Sequence, residues 1–208
     1  MPHPTPIHAI VFDVYGTLAE ITQKRAPFRQ LLRLGEQQSR VITANDAATL
    51  MSTPLTLREA AQHMAISLKP EELAHLEADL RIEIASLRLF PDTTPTLLAL
   101  RDRNIKLALC SNLAADYAPP IMELLPLRLD AYAWSFAAGA IKPDPAIYAH
   151  VCAALGCAPA NVLMVGDTPA ADVDGPRAFG MQAVLLDRKG RRGDGDALRS
   201  LAELPALL

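Results

Sequence analysis

Residues 7–17 read Ile7-His8-Ala9-Ile10-Val11-Phe12-Asp13-Val14-Tyr15-Gly16-Thr17. A short apolar run of β-type residues ends on an acid, and a glycine follows where the chain can turn. The same grammar recurs twice. Residues 106–110 run into Ser111-Asn112, and residues 161–165 run into Gly166-Asp167. Helical patterns separate these runs, at 94–103, around 114–125, at 145–155 and at 170–179. Shorter strands are expected near 132–134 and at 182–186, and a last helix at 197–204. Strands alternating with helices of this length imply an α/β fold, a doubly wound parallel sheet with helices on both faces. Sites in such sheets form beyond the carboxyl ends of the strands, near the switch point. That rule gathers Asp13, Ser111 and Asp167 in one place.

Outward from the first strand the pattern changes. From residue 20 to residue 89 every strong signal is helical, and no strand is convincing. Pro27 suits the first turn of a helix carrying Phe28, Leu31, Leu32 and Leu34. Thr56 and Glu59 form a capping box ahead of Ala60, Ala61 and Met64. Pro70 opens a helix with Leu73, Leu76, Leu80, Ile84 and Leu87 spaced by three and four. The segment reads as a helical bundle inserted into the sheet domain. The expected division is therefore an α/β core of residues 1–19 and 90–208, and an α-helical insertion of residues 20–89.

The chemistry sits at the strand ends. A carboxylate beside a glycine turn, as at Asp13, can attack a substrate and form a covalent ester or acyl phosphate. Ser111 and Asn112 can donate hydrogen bonds to an anion. Lys142, ahead of Pro143-Asp144-Pro145 and Tyr148, can neutralise charge. Asp167 and Asp172 flank a tight loop after an apolar strand. Taken singly, each has a plain reading as a turn cap or a surface charge. Taken together, Asp13, Asp167 and Asp172 put three acids in one pocket, where they must protonate or meet a cation. A hard divalent ion fits that oxygen set, and Mg²⁺ is the usual choice.

Composition narrows the class. Half of the 208 residues are apolar and 21% are charged, an ordinary globular balance. The formal net charge of -3 gives no reason to expect a nucleic acid or an anionic membrane as partner. No apolar run reaches the roughly 18 residues of a membrane span, and residues 1–8 do not read as a signal peptide. Cys110, Cys152 and Cys157 match no metal-ligand spacing and read as reduced thiols of a cytoplasmic protein, a Cys152–Cys157 disulfide being the lesser alternative. The five histidines are scattered, without ligand spacing. Residues 188–196, rich in glycine and charge, read as a solvated loop.

The four motifs, in this order and at these elements, resemble the haloacid-dehalogenase superfamily of hydrolases. The resemblance spans the chain, and residues 20–89 fall where that family inserts a helical cap between its first and second motifs. It implies that Asp13 is the nucleophile and that Thr17 helps hold its loop. Ser111 would bind the transferring group, with Asn112 beside it, and Lys142 would orient the nucleophile and offset charge. Asp167 and Asp172 would hold Mg²⁺ with Asp13 and the main-chain carbonyl of Tyr15.

Tyr15 departs from the phosphatase pattern, which has Asp two residues after the nucleophile to protonate the leaving alcohol and activate water. A phenol titrating near ~10 is a poor substitute. Tyrosine there looks like the 2-haloacid dehalogenases, whose halide leaves unprotonated. Those enzymes need no metal, carry serine where this chain has Asp167, and have asparagine where it has Pro169. They also hold substrate with a cap arginine. Arg25, Arg29 and Arg33 lie in that region, and the role is carried over to none of them. The acidic fourth motif favours Mg²⁺-dependent hydrolysis of a small phosphorylated metabolite. The alternatives are a metal-independent 2-haloacid dehalogenase and a binding or regulatory protein with weak catalysis.

Overall fold

The first strand decides the layering. In β1 (Ala9–Phe12) alternate residues enter different cores. Ile10 and Phe12 pack with Leu97, Leu100 and Ile121 on one face of the sheet, and Ala9 and Val11 pack with Ile147, Val151 and Met164 on the other. A strand buried on both faces is what a doubly wound sheet requires. The structure is a computed structural model that describes residues 6–190 and 197–208. Most of residues 1–8 and of the expected 188–196 loop lie outside the described residues.

The sheet has five strands: β1, β4 (Lys106–Ser111), β5 (Ala131–Trp134), β6 (Val162–Gly166) and β7 (Gln182–Leu185). Their order is β5-β4-β1-β6-β7, and every pair is parallel. Phe12 lies beside Leu109 of β4 and Val165 of β6. The three loops carrying Asp13, Ser111 and Asp167 therefore leave the sheet side by side, at the switch point, as the strand ends foretold.

Between β1 and β4 come α1 (Pro27–Gln37), α2 (Ala44–Ser52), α3 (Leu57–His63) and α4 (Pro70–Ala85), then α5 (Thr93–Asp102). The first four enclose a cluster of their own, with Leu31, Leu50, Leu57, Met64, Leu76 and Leu80 buried together. Pro27 and Pro70 stand in first turns, and Thr56 and Glu59 form the expected capping box. After β4 come α6 (Ala118–Leu124), α7 (Ser135–Ala138), α8 (Pro145–Leu155) and α9 (Gly175–Phe179).

Several elements differ from expectation. Residues 20–89 are not wholly helical. A two-stranded antiparallel ribbon, β2 (Ala19–Ile21) with β3 (Leu87–Leu89), closes the neck of the insertion. Leu87 thus belongs to the ribbon rather than to the face of α4. The single helix expected at 170–179 is two pieces, a π-wound segment Pro169–Asp174 and then α9. Asp172 is buried within this π-wound segment, a winding that recurs at functional sites. The C-terminal helix is a 3₁₀ segment, Leu201–Leu207, capped by Ser200 and holding Pro205. Proline has no N–H to donate and its ring clashes with the carbonyl four residues back, so a regular α-helix does not run through Pro205. All three cysteines are free. No described helix is long and apolar enough to cross a membrane.

Candidate active site

Asp13 follows β1 directly, and its N–H donates to the carbonyl of Val165 at 2.9 Å. The loop beyond turns at Gly16, where φ is +85°. Glycine suits that conformation, and a Cβ there would also collide with the Asp167 carboxylate. A Cβ on Gly166 would collide with Asp172 in the same way. Gly16 thus lets Asp167 approach the loop after β1, and Gly166 lets Asp172 fold back onto the end of β6.

The carboxylate of Asp13 is held through one oxygen. Its Oδ1 accepts from Ser111 Oγ at 3.0 Å and from Lys142 Nζ at 2.8 Å. Lys142 Nζ also donates to Asp172 Oδ1 at 2.6 Å. Lys142 is only 4% exposed, and Asp172 only 1%. Burial by itself would discharge the lysine, but Asp13 and Asp172 outweigh it and hold the ammonium above its ordinary range. Asp172 is fixed from its other side, where Oδ2 accepts from Thr168 N at 2.9 Å.

Asp167 completes the cluster. One carboxylate oxygen from each of Asp13, Asp167 and Asp172 can be chosen so that all three lie within 4.8 Å of one another. Burial and the charge of Asp13 push the Asp167 carboxyl above the usual carboxylate range. Three acids against one ammonium leave two negative charges without a partner in the cluster. An all-oxygen donor set with that deficit fits a hard divalent cation.

The remaining motif residues frame this group. The Asn112 amide is spent on Lys142: Nδ2 donates to its carbonyl at 2.9 Å, and Oδ1 accepts from its N–H at 2.7 Å. It ties the lysine loop to the end of β4. Tyr148 is fully buried and donates to the Ala171 carbonyl at 2.7 Å, bracing the loop of Asp172. Thr17 is fully buried, and its hydroxyl has no hydrogen-bond partner among the described residues. Its carbonyl accepts from Arg188 Nη2 at 2.7 Å. Arg188 also grips Asp92 through two bonds of 2.9 Å and lies over the Phe90 ring. Sequence reading missed Arg188 and Asp92, which are 96 residues apart.

Tyr15 stands at the edge of the cluster. Burial, then the charges of Glu83 and Asp13, raise its phenol far above the ordinary value. Its ring meets Tyr117 edge to face at 6.1 Å. Tyr117 donates in turn to Glu83 Oε2 at 2.5 Å, and Glu83 Oε1 accepts from the N–H groups of Arg25 and Ala26. Glu83, only 3% exposed on α4, thereby straps the helical insertion to a core residue that sequence reading passed over. Removing that hydroxyl in Tyr117→Phe deletes a hydrogen bond to a buried charge, expected to lower unfolding free energy by about 2 kcal/mol in urea titration.

The three arginines of α1 and its approach, Arg25, Arg29 and Arg33, separate. Arg29 lines an apolar cavity with Tyr15 and Asn112, whereas Arg25 and Arg33 line a different groove with Glu71 and Glu72.

Comparison with known proteins bears on this geometry. The family described as haloacid dehalogenase-like hydrolase matches residues 7–180. The chain belongs to the haloacid dehalogenase-like hydrolases. Its relatives within that family of hydrolases carry both chemistries. It is 30% identical to Phosphatase MT3486 of Mycobacterium tuberculosis, over 97% of each chain. It is 29% identical to (S)-2-haloacid dehalogenase 1 of a Pseudomonas species, over 98% of this chain and 97% of that one. Among solved structures, a HAD phosphatase from Thermococcus onnurineus superposes with a TM-score of 0.67 and 28% identity, covering 97% of both chains.

Proposed function

We propose that this hydrolase is a Mg²⁺-dependent phosphatase of a small phosphorylated metabolite, acting through an aspartyl phosphate on Asp13. The observation that carries the reading is the cluster of Asp13, Asp167 and Asp172 with its uncompensated charge. A dianionic phosphate cannot approach such a group without a cation, whereas a haloacid needs less neutralisation.

In this reading Asp13, Asp167 and Asp172 hold the ion, with the main-chain carbonyl of Tyr15. Bound there, Mg²⁺ supplies charge neutralisation and orients the phosphoryl group. Asp13 attacks phosphorus, and the ester bond breaks with its electron pair leaving on the ester oxygen, which takes a proton from solvent. Lys142 and Ser111, both on Oδ1, fix the carboxylate for that attack. Water then attacks the same phosphorus, the bond to Asp13 breaks, the carboxylate returns, and the water's proton passes to the released phosphate or to solvent. Tyr15 is a wall rather than an acid or base, so turnover is slow. Residues 20–89 act as a cap that selects the substrate and excludes bulk water.

Tyr15, with Arg29 and Asn112 around an apolar cavity, favours a second reading as a metal-independent 2-haloacid dehalogenase. Chelation separates the two. Hydrolysis of para-nitrophenyl phosphate is expected to require Mg²⁺ and to vanish in EDTA. Halide release from 2-chloropropionate that persists in EDTA, with no phosphate ester hydrolysed, would replace the first reading by the second.

A further inference from the structure

One cavity reaches the cluster at Asp167 and a second borders it through Tyr15 and Asn112, and the two differ in chemistry. One, of about 640 Å³, runs past Gly16 and Asp167 toward Lys24, Arg188 and Lys189. It lies on the carboxylate side, where the cation belongs. The other, of about 350 Å³, lies between the insertion and the loop after β4. Phe28, Leu32, Leu50 and Met51 wall it with Arg29, and Tyr15 and Asn112 form the side that borders the cluster. Its size is at the small end of ligand pockets, which span roughly 300–1,000 Å³.

The lining of the second cavity is as informative as its shape. Among the described residues it contains no Asp, Glu, His, Cys or Lys. A group leaving into it is handed no proton by a side chain that titrates near neutrality. An alkoxide is about as basic as hydroxide and departs poorly without one. A phenolate, whose parent titrates near ~10 as tyrosine does, departs with its electron pair unassisted far more readily. Apart from Arg29, Asn112 and two tyrosine hydroxyls the lining is apolar and partly aromatic, which suits a ring better than the many hydroxyls of a sugar.

Resting on the phosphatase reading, we propose that the substrate class is the monophosphate ester of a small apolar phenol, its ring seated in this cavity. Asp13 forms the bond to phosphorus as the bond to the aryl oxygen breaks, and the pair leaves on the phenolate, which takes a proton from solvent after release. Water then attacks phosphorus, the bond to Asp13 breaks, and the water's proton passes to the released phosphate or to solvent.

The test uses the full chain with Mg²⁺ and two esters of matched size, phenyl phosphate and cyclohexyl phosphate. Because kcat/KM reports the first chemical step, phenyl phosphate is expected to lead by at least ~10²-fold, the smallest benefit usual for a positioned acid. Ala47→Trp, which fills the cavity, is expected to lower the ratio of phenyl to acetyl phosphate kcat/KM about tenfold, the order expected for losing apolar contacts with one small ring. Equal kcat/KM for the two matched esters overturns the inference and leaves the phosphatase reading standing. An unchanged ratio in Ala47→Trp overturns this cavity as the seat of the ring. No turnover of any phosphate ester overturns the phosphatase reading and the inference with it.

Discussion

Asp13→Asn is expected to abolish turnover, lowering kcat on the order of 10⁴-fold or more, while the protein stays folded. The amide is nearly isosteric with the carboxylate but is no nucleophile, so no covalent intermediate forms. Its oxygen can still accept the bonds that Ser111 and Lys142 give to Asp13 Oδ1. Lys142 keeps its second partner, Asp172, at 2.6 Å. Loss of the Asp13 charge also relieves Asp167 and Asp172, whose carboxyls burial and Asp13 together push upward. Without Mg²⁺ the variant should therefore unfold at the same urea concentration as the parent, or a higher one. Hydrolysis of para-nitrophenyl phosphate and urea titration check the two halves. Loss of activity accompanied by loss of the fold would leave the nucleophile unproven. Activity within tenfold of the parent would remove Asp13 from that role.

The sheet and its site differ in how they were written into the chain. β1, β4 and β6 are continuous apolar runs with an informative residue at the end, so both fold class and candidate site follow from local pattern. Asp13, Ser111 and Asp167 meet because parallel register and the switch point bring those ends together, and Lys142 and Asp172 join them from the loop before α8 and the segment after β6. The ribbon of β2 and β3 has only three residues per strand, too few for an alternation to be counted. The helix Ala44–Ser52 was missed because its stripe is weak: Asp46 and Leu50 are its only buried residues. Its signal was the capping box, Thr43 with Asp46, written with Asp where Glu is commoner. Glu83, Tyr117, Asp92 and Arg188 carry no local signature. Their partners lie tens of residues away, and only tertiary contact reveals them.

Lys142→Met is expected to damage stability and activity together, with an effect that depends on pH. Methionine matches the length of the stem but removes the cation between two buried carboxylates, Asp13 at 2.8 Å and Asp172 at 2.6 Å. Breaking a buried ion pair on one side costs about 3–5 kcal/mol, because the charge left behind has neither water nor partner. The sign with pH follows from the acids. Burial, opposed by Lys142 and reinforced by Asp13, already holds Asp172 above the usual carboxylate range. Losing the lysine raises it further. A carboxylate whose folded pKa exceeds its unfolded one destabilises the fold above the unfolded value, and the penalty fades as pH falls through the folded value. The deficit relative to the parent should thus be largest near pH 7 and smaller near pH 5 in urea titrations. Mg²⁺ should recover part of it at pH 7, by supplying positive charge to the same oxygens. A deficit that is independent of pH and of Mg²⁺ would mean that Lys142 serves packing alone. Catalysis should not recover with stability, because the ammonium also holds Asp13 Oδ1 for attack. A variant refolded by Mg²⁺ yet slowed at least ~10²-fold in kcat separates that role from support of the fold.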